Sequence, residues 1–174
     1  MYKRLLQKID QHIEKVRRQN SGDFVCKPGC ADCCVGGISV WRIEHENIRE
    51  YLKLSAASFQ PSAKKDKCPF LNNEDLCSIY PARPIVCRLW GAPILFGPQE
   101  DPLPNVDEIS NRITSDKGVL TCCNKNFTKD SSLKKIKAEY IINLDLVLST
   151  LAAINHVYCK ELGFDPTERF KLSR

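Results

Sequence analysis

Apolar residues recur every three or four positions at the start of the chain, as Leu5, Leu6, Ile9, Ile13 and Val16. That spacing places them on one face and predicts an amphipathic helix over residues 2–19. Asn20-Ser-Gly22 is expected to end it, with glycine supplying the backbone freedom of a helix exit. No period holds from Asp23 to Gly37, so an irregular loop is expected there. Ile38 to Val40 predicts a short extended piece, and Ile43 to Leu54 a second helix with Ile43, Ile48, Tyr51 and Leu52 facing inward. Ser55 to Lys67 is polar and reads as a connection.

Further along, the pattern is set by proline. Pro69, Pro81, Pro84, Pro93, Pro98, Pro102 and Pro104 crowd residues 68–104 and rule out a long helix. Asn105 with Glu108 resembles a capping box, which predicts a short helix towards Lys117 that Gly118 would terminate. Asp130, Ser131 and Ser132 offer N-caps to a long apolar stripe. It runs through Leu133, Ile136, Tyr140, Ile141, Leu144, Val147, Leu148, Leu151, Ile154 and Tyr158, and Gly163 with Pro166 closes it. The expected fold is mainly α: a small single domain over residues 1–174. An N-terminal helix and a long C-terminal helix over 130–163 would brace a loop-rich, metal-organised cysteine centre.

Composition removes some alternatives. At 174 residues with 43% hydrophobic and 27% charged content, the chain can bury a core without covalent staples. The cysteines are therefore not substitutes for a missing core. The first ten residues alternate charges and aliphatics, unlike a secretory signal, and no run reaches the roughly 18 apolar residues of a membrane span. A reducing cytoplasm is the expected compartment, where thiols serve metal or redox chemistry before disulfides. The net charge of +5 is mild. Lys64, Lys65 and Lys67, and Lys134, Lys135 and Lys137, read as solvated positions because no aromatic residues alternate with them. Neither nucleic acid nor membrane is an expected partner.

The candidate chemistry lies in the thiols. Of ten cysteines, nine cluster: Cys26, Cys30, Cys33, Cys34, Cys68, Cys77, Cys87, Cys122 and Cys123. Cysteines two to four residues apart can turn both sulfurs onto one ion, and Cys26, Cys30 and Cys33 meet that spacing. Adjacent cysteines in extended backbone point to opposite sides. Either one member of Cys33–Cys34 and of Cys122–Cys123 is a bystander, or the pairs divide between two sites. Cys159 stands alone and reads as core. His12, His45 and His156 are solitary on predicted helices and are not expected ligands, although His45 lies closest to the cysteine loop. Arg83 and Arg88 flank Cys87 and are candidates to donate hydrogen bonds to sulfur and offset thiolate charge.

Two longer motifs stand out. Cys26-Lys-Pro-Gly-Cys30-Ala-Asp-Cys33-Cys34 resembles a CxxCxxCC signature. Cys68-Pro-Phe-Leu71, with Cys77-Ser-Ile-Tyr80-Pro-Ala-Arg83-Pro84-Ile-Val-Cys87-Arg88, resembles its companion. Together they resemble the YkgJ-type cysteine-cluster family of zinc- or iron-chelating domains, over about residues 24–125. The first gap has three residues where the family has two, and Cys122-Cys123-Asn-Lys stands where the family usually has cysteine followed by Pro-Gly. The resemblance implies eight ligand cysteines, with one drawn from Cys122 and Cys123. It implies iron or an iron–sulfur cluster as cofactor, with zinc as the alternative. It extends to redox or protein-modifying activity on a protein substrate or with a redox partner, set against a structural zinc module that binds proteins without catalysis. No glycine motif for S-adenosylmethionine is present, so methyl transfer is not assigned.

Overall fold

The computed structural model describes residues 1–55, 67–97, 110–116, 118–129 and 132–172. The elements run in the order α1 (Tyr2–Gln19), β1 (Ser39–Trp41), α2 (Arg42–Leu54), α3 (Ile85–Leu89), β2 (Ile94–Phe96), β3 (Ser110–Ser115) and β4 (Gly118–Cys123). They finish with β5 (Ile142–Asn143), α4 (Leu144–Leu162) and β6 (Arg169–Lys171). Short 3-10 turns stand at Tyr80–Ala82, Leu133–Lys135 and Ala138–Tyr140. The described residues are 44% helical and 17% strand, with two sheets. The expected mainly α class is therefore wrong: strand pairing between segments distant in sequence builds a mixed α and β protein.

The chain divides into two compact units. The first comprises Met1, Lys3–Cys26 and Leu89–Thr150, and the second Tyr2, Lys27–Arg88 and Leu151–Arg174. The boundary thus falls inside α4.

In the first unit, α1 follows its apolar period, burying Leu6, Ile9 and Val16. Asn20, not glycine, ends it: the Asn20 backbone N–H and side-chain Nδ2 both donate to Val16 O, at 3.0 and 2.9 Å. The main body of this unit is a four-stranded sheet in the order β3-β4-β2-β5. β4 pairs antiparallel with β3 and with β2, and β2 pairs parallel with β5. The helix expected to reach Lys117 is instead β3, while its Asn105–Glu108 capping box lies outside the described residues. Gly118 ends no helix. It opens β4 with φ of 130°, and a Cβ there would stand 2.2 Å from Phe96 O.

The long C-terminal helix is also shorter than expected. Asp130 and Ser131 lie outside the described residues, and residues 133–143 form two 3-10 turns and β5 before α4 begins. The reason is a local cap: Asn143 Oδ1 accepts from the Leu146 N–H at 2.9 Å, starting a helix at Leu144. Upstream, β-branched Ile142 pairs with Ile94 of β2.

In the second unit, β1 pairs antiparallel with β6, setting Val40 opposite Phe170. Sequence reading assigned no element to residues 169–171. Val40, Ile48, Phe70, Ile79, Ala82 and Leu172 form its buried apolar cluster, with Ile38, Tyr51, Cys68, Cys77 and Phe170 packed against it. A metal-organised centre is not shown: the proline-rich loops are gathered on this apolar cluster. Glu44, 3% exposed, ties the unit together. Its carboxylate accepts from the Trp41 N–H at 3.0 Å and from the Ile85 N–H at 2.9 Å, joining the starts of α2 and α3.

Candidate metal centre

The second unit holds Cys30, Cys33, Cys34, Cys68, Cys77 and Cys87, all partly exposed free thiols. Turns position them. The Cys30 N–H bonds Lys27 O, and the Cys34 N–H bonds Ala31 O at 3.0 Å. The Cys68 N–H then donates to Cys34 O at 3.0 Å, and a bridge pairs Val35 with Lys67, so these two cysteine loops run side by side. A second bridge joins Leu71 to Cys77, bringing the Cys68 and Cys77 loops together. Both loops use the same local geometry. The Cys68 sulfur is hydrogen-bonded by the Phe70 backbone N–H, and the Cys77 sulfur by the Ile79 N–H.

Burial of Phe70 and Ile79 in the apolar cluster anchors those two turns. Cys87 rides on α3, whose first turn is pinned by Glu44. Cys34, Cys68, Cys77 and Cys87 lie close enough for charge on one to disfavour charge on another. Burial pushes the Cys77 thiol up to about 11 and the Cys87 thiol up to about 12, and raises Cys68. Cys34 moves the other way, to about 7, chiefly because the Cys33 side chain hydrogen-bonds it, with Lys67 and Arg83 helping.

The arginines divide in role. Arg83 lies over the Tyr80 ring at 3.6 Å from its centroid, donates to Tyr80 O at 3.1 Å, and favours thiolate at Cys34, Cys77 and Cys87. Arg88 is buried, and its guanidinium donates to Arg83 O at 2.9 Å and Pro81 O at 2.5 Å, holding the backbone of the Tyr80–Ala82 turn. His45 stacks on Phe170, with ring centroids 4.3 Å apart. Cys159 is fully buried in α4, its Sγ 3.7 Å from Asn155 Oδ1.

The first unit holds Cys26, Cys122 and Cys123. The last two are adjacent on β4, opposite Asn111 and Ser110 of β3, and both are buried. Burial, with charge on Cys123, pushes the Cys122 thiol up to about 12. Sequence reasoning missed Asn126, which is fully buried. Its Oδ1 accepts from the Val25 N–H at 2.9 Å, and its Nδ2 donates to Gly91 O at 2.6 Å and towards Cys26 Sγ at 3.3 Å. A signal was present: asparagine follows shortly after the Cys122–Cys123 pair. Its target lies a hundred positions away, where no local pattern points.

Within the second unit the donor set is chemically suited to zinc or iron. Soft thiolates dominate it, two sulfurs already accept backbone N–H bonds, and a cation stands in range. Among the described residues, no group of three or more histidine, cysteine, aspartate or glutamate side chains converges closely enough to hold an ion.

Residues 25–102 match the family model CxxCxxCC, described as "Putative zinc- or iron-chelating domain". That segment is similar to this cysteine-cluster family, whose description points to metal binding. The matched residues include every clustered thiol except Cys122 and Cys123. No curated protein and no solved structure matches the chain. Among the described residues, no helix is long and apolar enough to cross a membrane.

Proposed function

We propose that this protein holds iron on the thiols of the second unit, as an iron–sulfur cluster, and exchanges electrons with a protein partner in the cytoplasm. Cys34, Cys68, Cys77 and Cys87 are the ligands, with Cys30 and Cys33 beside them. The observation that carries this reading is the side-by-side placement of the Cys34, Cys68 and Cys77 turns, through the Cys68 N–H bond to Cys34 O and the Leu71–Cys77 bridge. Four thiolates, three from loops and Cys87 from α3, make up the number of a tetrahedral donor set for zinc or iron.

Two features favour a redox centre over a structural staple. The loops already pack on a six-residue apolar cluster, so metal is not their sole organiser. N–H groups of Phe70 and Ile79 directed at sulfur are the type of contact that sets a cluster's reduction potential. When bound, the cluster supplies one-electron chemistry. The chain's own residues hold the sulfurs, offset their charge through Arg83, and keep the Tyr80–Ala82 turn rigid through Arg88.

Purification without oxygen, followed by iron, zinc and sulfide analysis and optical absorption, tests the proposal. Iron with sulfide and visible absorption is the expected result, lost on Cys87→Ser. A colourless protein with stoichiometric zinc would replace the redox reading with the structural one. A folded protein with none of these elements would end both.

A further inference from the structure

The first unit carries a cavity of about 410 Å³ that none of the clustered thiols lines. The end of α1 supplies Asn20, the turn after it Asp23, and the segment after β4 the rest of the wall. In that segment the 3-10 turns Leu133–Lys135 and Ala138–Tyr140 are joined by extended backbone at Ile136 and Lys137. The run places Lys135, Ile136, Lys137 and Tyr140 in the lining, with Lys129 and Ser132 beside them. Phe127 completes it with φ of 52°, a left-handed conformation that a non-glycine residue adopts at a cost. Its N–H donates to Asp23 O at 2.8 Å, which ties the two parts of the wall together.

The lining is unequal in charge. Among the described residues, Lys129, Lys135 and Lys137 stand against a single carboxylate, Asp23. Glu139 lies outside the lining and is taken up by Lys15 at 2.5 Å. Two polar atoms of the lining are buried with no hydrogen bond among the described residues: Asp23 Oδ1 and Ser132 Oγ. Lys129 Nζ is 3.7 Å from Asp23 Oδ1, close enough to pair in charge and too far to donate. A buried polar atom without a partner is costly, so two beside one cavity mark where a bound molecule completes the bonding.

We propose that this cavity binds a small phosphate monoester of a polyhydroxy compound. Three ammonium groups around one space match a dianion, and lysine binds phosphate as a point charge. Ser132 Oγ donates to a phosphate oxygen, and a hydroxyl of the ligand donates to Asp23 Oδ1. A neutral donor suits that carboxylate, since Lys129 already supplies its positive charge. The volume leaves room for an organic body beside the phosphate, against Ile136 and Tyr140. A bare anion would leave Asp23 without a donor. The site is independent of the metal reading, because no thiol takes part in it.

Titration calorimetry of the full-length protein with glycerol phosphate, inorganic phosphate and glycerol tests this. Glycerol phosphate should bind about tenfold tighter than inorganic phosphate, because one hydrogen bond to a charged group separates them. In a Lys135→Ala/Lys137→Ala double variant, both phosphates should weaken by about tenfold or more. Both lysines are exposed, so the fold should survive their removal, with an unchanged thermal melt as the check. In Asp23→Ala the advantage of glycerol phosphate should disappear, while inorganic phosphate binds at least as tightly as before. Equal affinity for the two phosphates in wild type, or an advantage that survives Asp23→Ala, would mean an adventitious ion only and overturn the ligand class. Glycerol binding as tightly as glycerol phosphate would overturn the phosphate reading. Absence of binding at millimolar concentration, or binding untouched by the double substitution, would overturn the site itself.

Discussion

Glu44 shows how much of this protein hangs on single buried polar groups. Its two oxygens take the Trp41 and Ile85 N–H groups, which otherwise have no partner at the starts of α2 and α3. Burial raises its pKa, and the two N–H bonds oppose that shift. Glu44→Ala should destabilise the fold by about 2–4 kcal/mol, since two buried donors lose their acceptors, as read from urea unfolding. An unchanged midpoint would mean that water or a neighbouring carbonyl replaces the carboxylate. At this scale the sequence was legible for the thiols and opaque for their supports. A cysteine declares its chemistry by type, but Glu44 and Asn126 are ordinary residues until their distant partners are known. Cys159 is buried, as its isolation on an apolar stripe indicated.

Among the elements, the helices near the N-terminus were readable and the strands largely were not. α1 spans the residues its period marks, and α2 starts one position ahead of its expected first residue. These are local patterns, complete within a few turns. β3 and β4 carry little period of their own and exist because they pair with each other and with β2. The stripe from Leu133 to Tyr158 misled for a related reason. Its first part satisfies a helical period, yet Ile142 is drawn into the sheet and Asn143 caps the helix later. Gly118 is the residue on which the three-strand contact depends. Gly118→Ala should cost more than about 2 kcal/mol, combining backbone strain with collision against Phe96 O, and a thermal melt compared with wild type reads it directly. A stable Gly118→Ala protein would mean that β4 can pair with β3 without lying close to β2.

Over the whole molecule, the cysteine framework is partitioned: Cys26, Cys122 and Cys123 in one compact unit, the other six clustered thiols in the second. The protonation states of these thiols make metal uptake pH-dependent. Cys68, Cys77 and Cys87 are raised above the ordinary thiol value and keep their protons at neutral pH, whereas Cys34, lowered to about 7, is already partly ionised there. Metal must displace each retained proton, so affinity should rise with pH from 6 to 9. Between pH 6 and 8 the protons released per metal should also decrease, as Cys34 ionises beforehand. Zinc titration calorimetry in buffers of different ionisation enthalpy measures both. Proton release that does not vary with pH would remove Cys34 from the ligand set.

The sequence by itself determined the cysteine-rich donor set, the resemblance of residues 25–102 to a cysteine-cluster family, the amphipathic α1 and α2, and the opposed facing of adjacent cysteines, since each depends on residue type or on spacing within a few turns. Tertiary structure decided the rest. It set the two sheets, the start of α4, and which thiols share a unit. It alone brings Asn126 to Val25 across 101 positions and Glu44 to Ile85 across 41. Those contacts arise from burial and strand pairing between remote segments, and no periodicity encodes a partner that far away.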